Sequence, residues 1–220
     1  MAVIHKTTMT PGKLELLAAW LPGRPWYAGA GREPELARAG GFRLDDPAGE
    51  VGIEFMVVTD TSGDRPVSYQ VPLTYRGAPL DGAGGALIGT AEHGVLGRRW
   101  VYDGAHDPVL VAQLLALVQG RAEAQHQSKS DTPESSVSTH CAGADLPAMA
   151  AITAVEEGRD GTGIVLATED GGALTVTVSR VLRPIGDEDG GEAEGRVTAV
   201  WQPPGGAEAR ASFAVIHTSR

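Results

Sequence analysis

The side chains able to do chemistry are present in this 220-residue chain, but they are scattered. Six histidines occur, His5, His93, His106, His126, His140 and His217, and none forms an H-E-x-x-H or another pair at ligand spacing. The adjacent His140 and Cys141 supply two donors, whereas a closed zinc site needs four. Cys141 is the single cysteine, which excludes an internal disulfide framework. It would act as a nucleophile only if its surroundings lowered its pKa. No G-x-S-x-G is present to build a nucleophile elbow. Asp45–Asp46 and Glu156–Glu157 are paired carboxylates of the kind that perform acid–base work, but no pattern fixes them in a pocket, so they read as surface charge. The run "GDEDGGEAEG" at 186–195 fails the spacing of a calcium loop and reads as a solvated acidic turn. The residues therefore predict no catalytic group, metal or cofactor.

The densest stretch is "WLPGRPWYAGAGRE", from Trp20 to Glu33. Its "GAG" at Gly29–Gly31 follows a predicted helix, and Pro34 stands three positions on. A dinucleotide fingerprint needs the reverse setting, so the glycines predict a structural turn. The aromatics Trp20, Trp26, Tyr27, Trp100, Tyr102 and Trp201 admit two uses, a sugar-stacking shelf or core packing. Arg24, Trp26 and Trp201 form the candidate ligand or partner surface on the first of these. A net charge of −10, with no basic segment, argues against a nucleic-acid binder. No apolar run approaches a membrane span, and the N-terminus lacks the charged-then-apolar order of a signal peptide. The expected location is cytoplasmic.

The elements that must position these residues fall into three stretches. Thr10 as N-cap and Pro11 at the first helical position predict a helix over about 11–21, with Leu14, Leu17, Ala18 and Leu21 on one face. "ELARAGGFRLDD", "EVGIEFMVVTD", "PVSYQVPLTYR" and "GVLGRRWVYDG" predict antiparallel strands. Asp107-Pro108 then starts a second helix, with Gly120 at its end. Residues 121–145 are rich in Gln, Ser, Thr and Glu, the composition of a flexible linker. Residues 146–220 carry five strand patterns between Gly-, Asp- and Pro-rich turns. The expectation is an α+β fold, a helix packed on a curved antiparallel sheet over 1–120, followed by a small mostly-β antiparallel domain over 146–220.

The stretch "AAWLPGRPWYAGAGRE" resembles the opening of bacterial maltokinases, whose N-terminal cap begins with a helix and a W-L-P-x-x-R-W-F-x-x-K-x-R type motif. Trp20, Leu21, Pro22, Trp26 and Arg32 match it; Arg24 is shifted, Tyr27 replaces Phe and Ala30 replaces Lys. "YQVPLTYR" and "VYDGAHDPVLVAQLLALV", with Tyr102, Asp103, Asp107 and Pro108, resemble later parts of the cap. The C-terminal third resembles, more faintly, the small ATP-binding lobe that follows the cap. There Thr177 stands where the family places its ATP lysine. The sequence holds no H-x-D-x-x-x-x-N or D-F-G-like element of a catalytic lobe. The resemblance implies a non-catalytic interaction or regulatory module of trehalose, maltose-1-phosphate and α-glucan metabolism, with a protein partner from that chemistry. The alternatives are an α-glucan-binding module and a glucan-modifying enzyme.

Overall fold

The structure is a computed structural model that describes residues 8–29, 31–143, 146–185 and 193–219. In chain order the elements are β1 (Met9–Thr10), α1 (Lys13–Trp20), β2 (Leu36–Asp45), β3 (Gly52–Asp60), β4 (Val67–Arg76), β5 (Leu87–His93) and β6 (Gly97–Asp103). They continue with α2 (Pro108–Val118), β7 (Ser138–Cys141), β8 (Met149–Glu157), β9 (Gly161–Thr168), β10 (Ala173–Ser179), β11 (Gly195–Trp201) and β12 (Ala209–Ser219).

All twelve strands join one antiparallel sheet, ordered β1-β5-β6-β4-β3-β2-β11-β12-β10-β9-β8, with β7 paired to β11. Strands hold 46% of the described residues and helical turns 14%. The expected α+β class is therefore corrected to a mostly antiparallel β fold. The physical reason is twofold. The helices are short, 8 and 11 residues. The C-terminal strands also do not form a sheet of their own, because β11 pairs with β2 at Trp201–Gly40 and continues the first sheet.

Glycine makes that junction possible. Gly40 and Gly41 have φ of 141° and 122°, in the region side chains avoid, and they follow a bulge at Ala39 in the β2–β3 ladder. A Cβ on Gly41 would lie 2.0 Å from the Phe55 carbonyl oxygen, and one on Gly40 would lie 3.3 Å from Trp201 Cα. Gly40 lets β2 lie against Trp201 of β11, and Gly41 lets the bent strand stay against β3.

β3 shows how the core is arranged. Ile53, Phe55 and Val57 face one side of the sheet, and Met56 and Val58 face the other, as a strand's period of two requires. The first side meets α2, Phe42, and Ile164, Leu166, Val176, Phe213 and Ile216 from the C-terminal strands. Phe42 and Phe55 stack at 4.6 Å, and Phe42 meets Phe213 at 5.9 Å. α2 is buried nearly all round, as its run of apolar residues demands. The second side is covered by α1 through Leu16, Leu17 and Trp20.

α1 begins two residues later than the sequence predicts. Gly12 is its N-cap, and the Glu15 carboxylate accepts the Gly12 N–H at 2.7 Å, while Thr10 belongs to β1. α2 starts as predicted at Pro108, with Asp107 accepting the Val109 N–H, and Gly120 follows its end at φ 69°. In the stretch expected as a linker, Gln125 bridges Arg43 and Pro133, and Ser138–Cys141 pairs with Gly195–Thr198.

Candidate functional site

The structure draws much of the Trp20–Glu33 stretch into one aromatic cluster. The 3-10 turn Leu21–Gly23 folds the chain back so that the Trp26 and Trp20 ring centroids lie 5.7 Å apart, with the ring planes at 60°. Tyr69 of β4 completes the group, 5.8 Å from Trp26 and 5.5 Å from Tyr27. The Tyr27 hydroxyl donates to Asp60 Oδ2 at 2.6 Å, and burial together with that bond raises the phenol's pKa. Asp60 loses hydration on burial, yet its pKa is lowered by the Tyr27 hydroxyl and the N–H groups of Ser62 and Glu35. Trp26 is 2% exposed and Leu21 fully buried, whereas Pro22 is exposed. The Arg24 guanidinium lies over Trp20 at 4.8 Å and reaches Glu157 at 3.5 Å.

Beneath this cluster sits an ion pair that the sequence reading did not anticipate. Arg180, fully buried, donates from Nη2 to Asp103 Oδ2 at 2.6 Å and from Nε to Thr162 Oγ1 at 2.7 Å. Its guanidinium carbon is 5.2 Å from the Trp26 ring centroid. Asp103, at the end of β6 and 1% exposed, also accepts the Ala105 N–H. The signal was available in the strand "ALTVTVSR". Leu174, Val176 and Val178 are its buried phase, and Arg180 falls on the next step of the same alternation.

A second buried carboxylate, Glu54, sits on β3 at 2% exposure. It accepts from Lys13, from the Tyr75 hydroxyl at 2.6 Å, from Gln127 at 3.0 Å and from Arg38 at 3.3 Å. Burial pushes its pKa up, but the Lys13 ammonium, the Tyr75 hydroxyl and Arg38 outweigh that and hold it below the usual carboxylate value. Tyr75 is raised by the same burial and by the Glu54 charge. The group is a closed network with every strong donor aimed at Glu54. The adjoining hollow between Lys13, Leu16, Leu17, Leu73, Tyr75, Ile88 and Val101 is too small for a water molecule.

The remaining candidates are dispersed. Arg32 is exposed, donating to the Ser62 carbonyl at 2.8 Å and reaching Asp64 at 3.3 Å. Tyr102 is buried, and its hydroxyl accepts the Leu80 N–H. Arg76 grips Asp107 with two bonds of 2.7 Å, and that pairing raises the guanidinium's pKa. Pro108 is exposed at the start of α2. Trp201, 4% exposed, packs in the α2-side core, apart from the Trp20–Trp26 pair. Thr177 is exposed on β10, paired with Gly163 and Val215.

Asp46 accepts three backbone N–H groups in the β2–β3 turn, and Glu157 meets Arg24, so neither carboxylate pair converges on a shared site. His140 and Cys141 lie on β7, with the Cys141 thiol directed at the Gly143 carbonyl. His93 and His126 accept backbone N–H groups of their own turns. His5 and residues 186–192 of the acidic run lie outside the described residues. Among the described residues no three His, Cys, Asp or Glu groups are placed to hold a metal ion. No helix among them is long and apolar enough to cross a membrane.

The unit formed by α1, the β2–β6 strands and the Tyr102–Asp107 turn is thus an antiparallel sheet whose aromatic and acidic residues are largely structural. Residues 20–107 match the family model of the maltokinase N-terminal cap domain. The match runs from the last residue of α1 to the N-cap of α2, and so includes Trp20, Trp26, Asp103 and Asp107.

Proposed function

We propose that this chain is a non-catalytic interaction or regulatory module, related to maltokinases through its cap-like region, that acts in trehalose, maltose-1-phosphate or α-glucan metabolism by binding a protein of that chemistry. One observation carries the reading. Within the matched stretch, Trp20, Leu21, Trp26, Tyr102, Asp103 and Asp107 are all buried and spent on packing, capping or ion pairing. None of these residues is free to meet a substrate.

Two features add support. Thr177, which the faint resemblance of the C-terminal third sets at the family's ATP-lysine position, offers no cation to a phosphate. The buried carboxylates Glu54 and Asp103 are each held by several donors, Lys13, Tyr75, Gln127 and Arg38 on the first and Arg180 and the Ala105 N–H on the second, and so are poor candidates for proton transfer. The α-glucan-binding alternative depends on open aromatic faces, and Trp26 and Trp201 present none.

The test combines an activity assay with affinity capture. The purified chain should not phosphorylate maltose with ATP and Mg²⁺. Immobilised protein should retain an enzyme of α-glucan or trehalose metabolism from a lysate of the source cells, and that enzyme should bind again as a purified protein. ATP-dependent maltose phosphorylation would sink the proposal. So would repeated capture and direct titration that return no enzyme of this chemistry.

A further inference from the structure

The edge of β4 that faces β6 is shared by two segments lying end to end. β6 pairs along Leu73–Arg76, and residues 180–182 pair along Ser68–Gln70, through Gln70 N–H to Arg180 carbonyl at 2.9 Å and Leu182 N–H to Ser68 carbonyl at 2.9 Å. Between the two ladders stands Pro72. Gln70 directs its N–H at this edge, so position 72, two residues on, would direct its own there too. Proline has no N–H, and neither ladder needs one from it. At the gap the two facing chain ends carry opposite charges, Asp103 on the end of β6 and Arg180 on the arriving segment.

From this we infer that Asp103 and the Trp26 ring form a guanidinium-recognition seat on the cap-like region, filled in cis by Arg180, which locks the C-terminal strands onto β4 and makes the two halves unfold together. This goes beyond the proposed function and does not depend on it. Three observations carry the seat. The guanidinium has no contact with solvent, its Nη2 and Nε each donate a short bond to Asp103 and Thr162, and its plane lies at cation–π distance from Trp26. A planar, weakly hydrated guanidinium donates in its plane to Asp103 and Thr162 while turning its face to the Trp26 ring. The partner this surface fits is therefore a strand end bearing an arginine. The family-motif residues Trp26 and Asp103 are occupied inside the molecule.

The experiment uses the full chain and chemical rescue. Arg180→Ala leaves a guanidinium-sized space beside Asp103. It should lower Tm by roughly 10 °C, the scale expected for orphaning a buried carboxylate in a chain this long. Guanidinium chloride at a few tens of millimolar, well below denaturing concentrations, should recover part of that loss, while equal sodium chloride should not. Arg180→Ala/Asp103→Asn should show no such recovery. If Arg180→Ala does not fold, Arg180→Lys serves instead; it should keep the charge yet still melt several degrees lower and respond to no added cation. Hydrogen exchange in the variant should accelerate in β4 and β10 alike. An unchanged Tm, rescue equal in both salts, or faster exchange confined to residues 173–185 would overturn the proposal.

Discussion

A carboxylate stripped of water loses several kcal/mol of hydration unless partners replace it. Glu54 is such a group, and its four donors come from α1, β2, β4 and the segment after α2. Because its native pKa lies below the ordinary carboxylate value of 4.5, the unfolded chain binds a proton first as the solution is acidified. Its contribution is complete above about pH 4.5 and fades as pH falls through the lowered native value. Urea unfolding between pH 3 and pH 7 should therefore show stability falling on the acid side, and Glu54→Gln should flatten that slope. Asp60, also lowered, keeps the slope from vanishing. Glu54→Ala leaves the Tyr75 hydroxyl and the partly exposed Lys13 and Arg38 without their acceptor and should cost about 1–3 kcal/mol. Arg32→Ala should be close to neutral in the same measurement, since Arg32 and Asp64 are well exposed.

The elements rest on local rules of different strength. Asp107 caps α2 and receives Arg76, so Asp107→Ala removes a cap worth about 1 kcal/mol and also orphans a partly buried guanidinium. It should cost about 3 kcal/mol or more by chemical denaturation, with the larger part attributable to Arg76. Gly41→Ala should be worse, since the new methyl would meet a carbonyl oxygen of β3; loss of soluble folded protein or a cost above about 4 kcal/mol is expected.

Both features bear on what the sequence could disclose. Asp-Pro before an apolar run is a local signal, and α2 starts where that signal points. The four strand patterns of the first half likewise correspond to β2, β3, β4 and β6. β5 escaped because "LIGTAEH" has small and polar residues where alternation should be apolar. Pairing of β11 with β2 escaped because it depends on Gly40 meeting a tryptophan some 160 positions away, which no local window contains. The same distance hid the meeting of Asp103 with Arg180. Each residue carried half a message: a carboxylate in a recognisable motif, and an arginine in the buried phase of a strand.

At the scale of the whole molecule, the core on the α2 side is one body drawn from both halves. Phe42 and Phe55 of the cap-like strands pack with Phe213, Ile216 and Val176 of the C-terminal strands around Leu110 and Leu114. Phe213 is fully buried, so Phe213→Ala should cost about 3–5 kcal/mol. The expected unfolding curve stays a single transition, with far-ultraviolet dichroism and tryptophan fluorescence coinciding. Trp20 and Trp26 report on the first half and Trp201 on the second, so separate midpoints in the two signals would contradict a shared core.

Pro72 has a consequence for how the chain is made. By lacking an N–H it stops β6 from running on along β4 and reserves Ser68–Gln70 for residues that the ribosome adds more than a hundred positions later. Until Arg180 emerges, the nascent first half presents an unpaired strand edge, one bare face of Trp26 and an Asp103 without its arginine. Its folding is then not vectorial: the first half waits for the second, and in that interval its bare edge is the place where a chaperone would find most to hold.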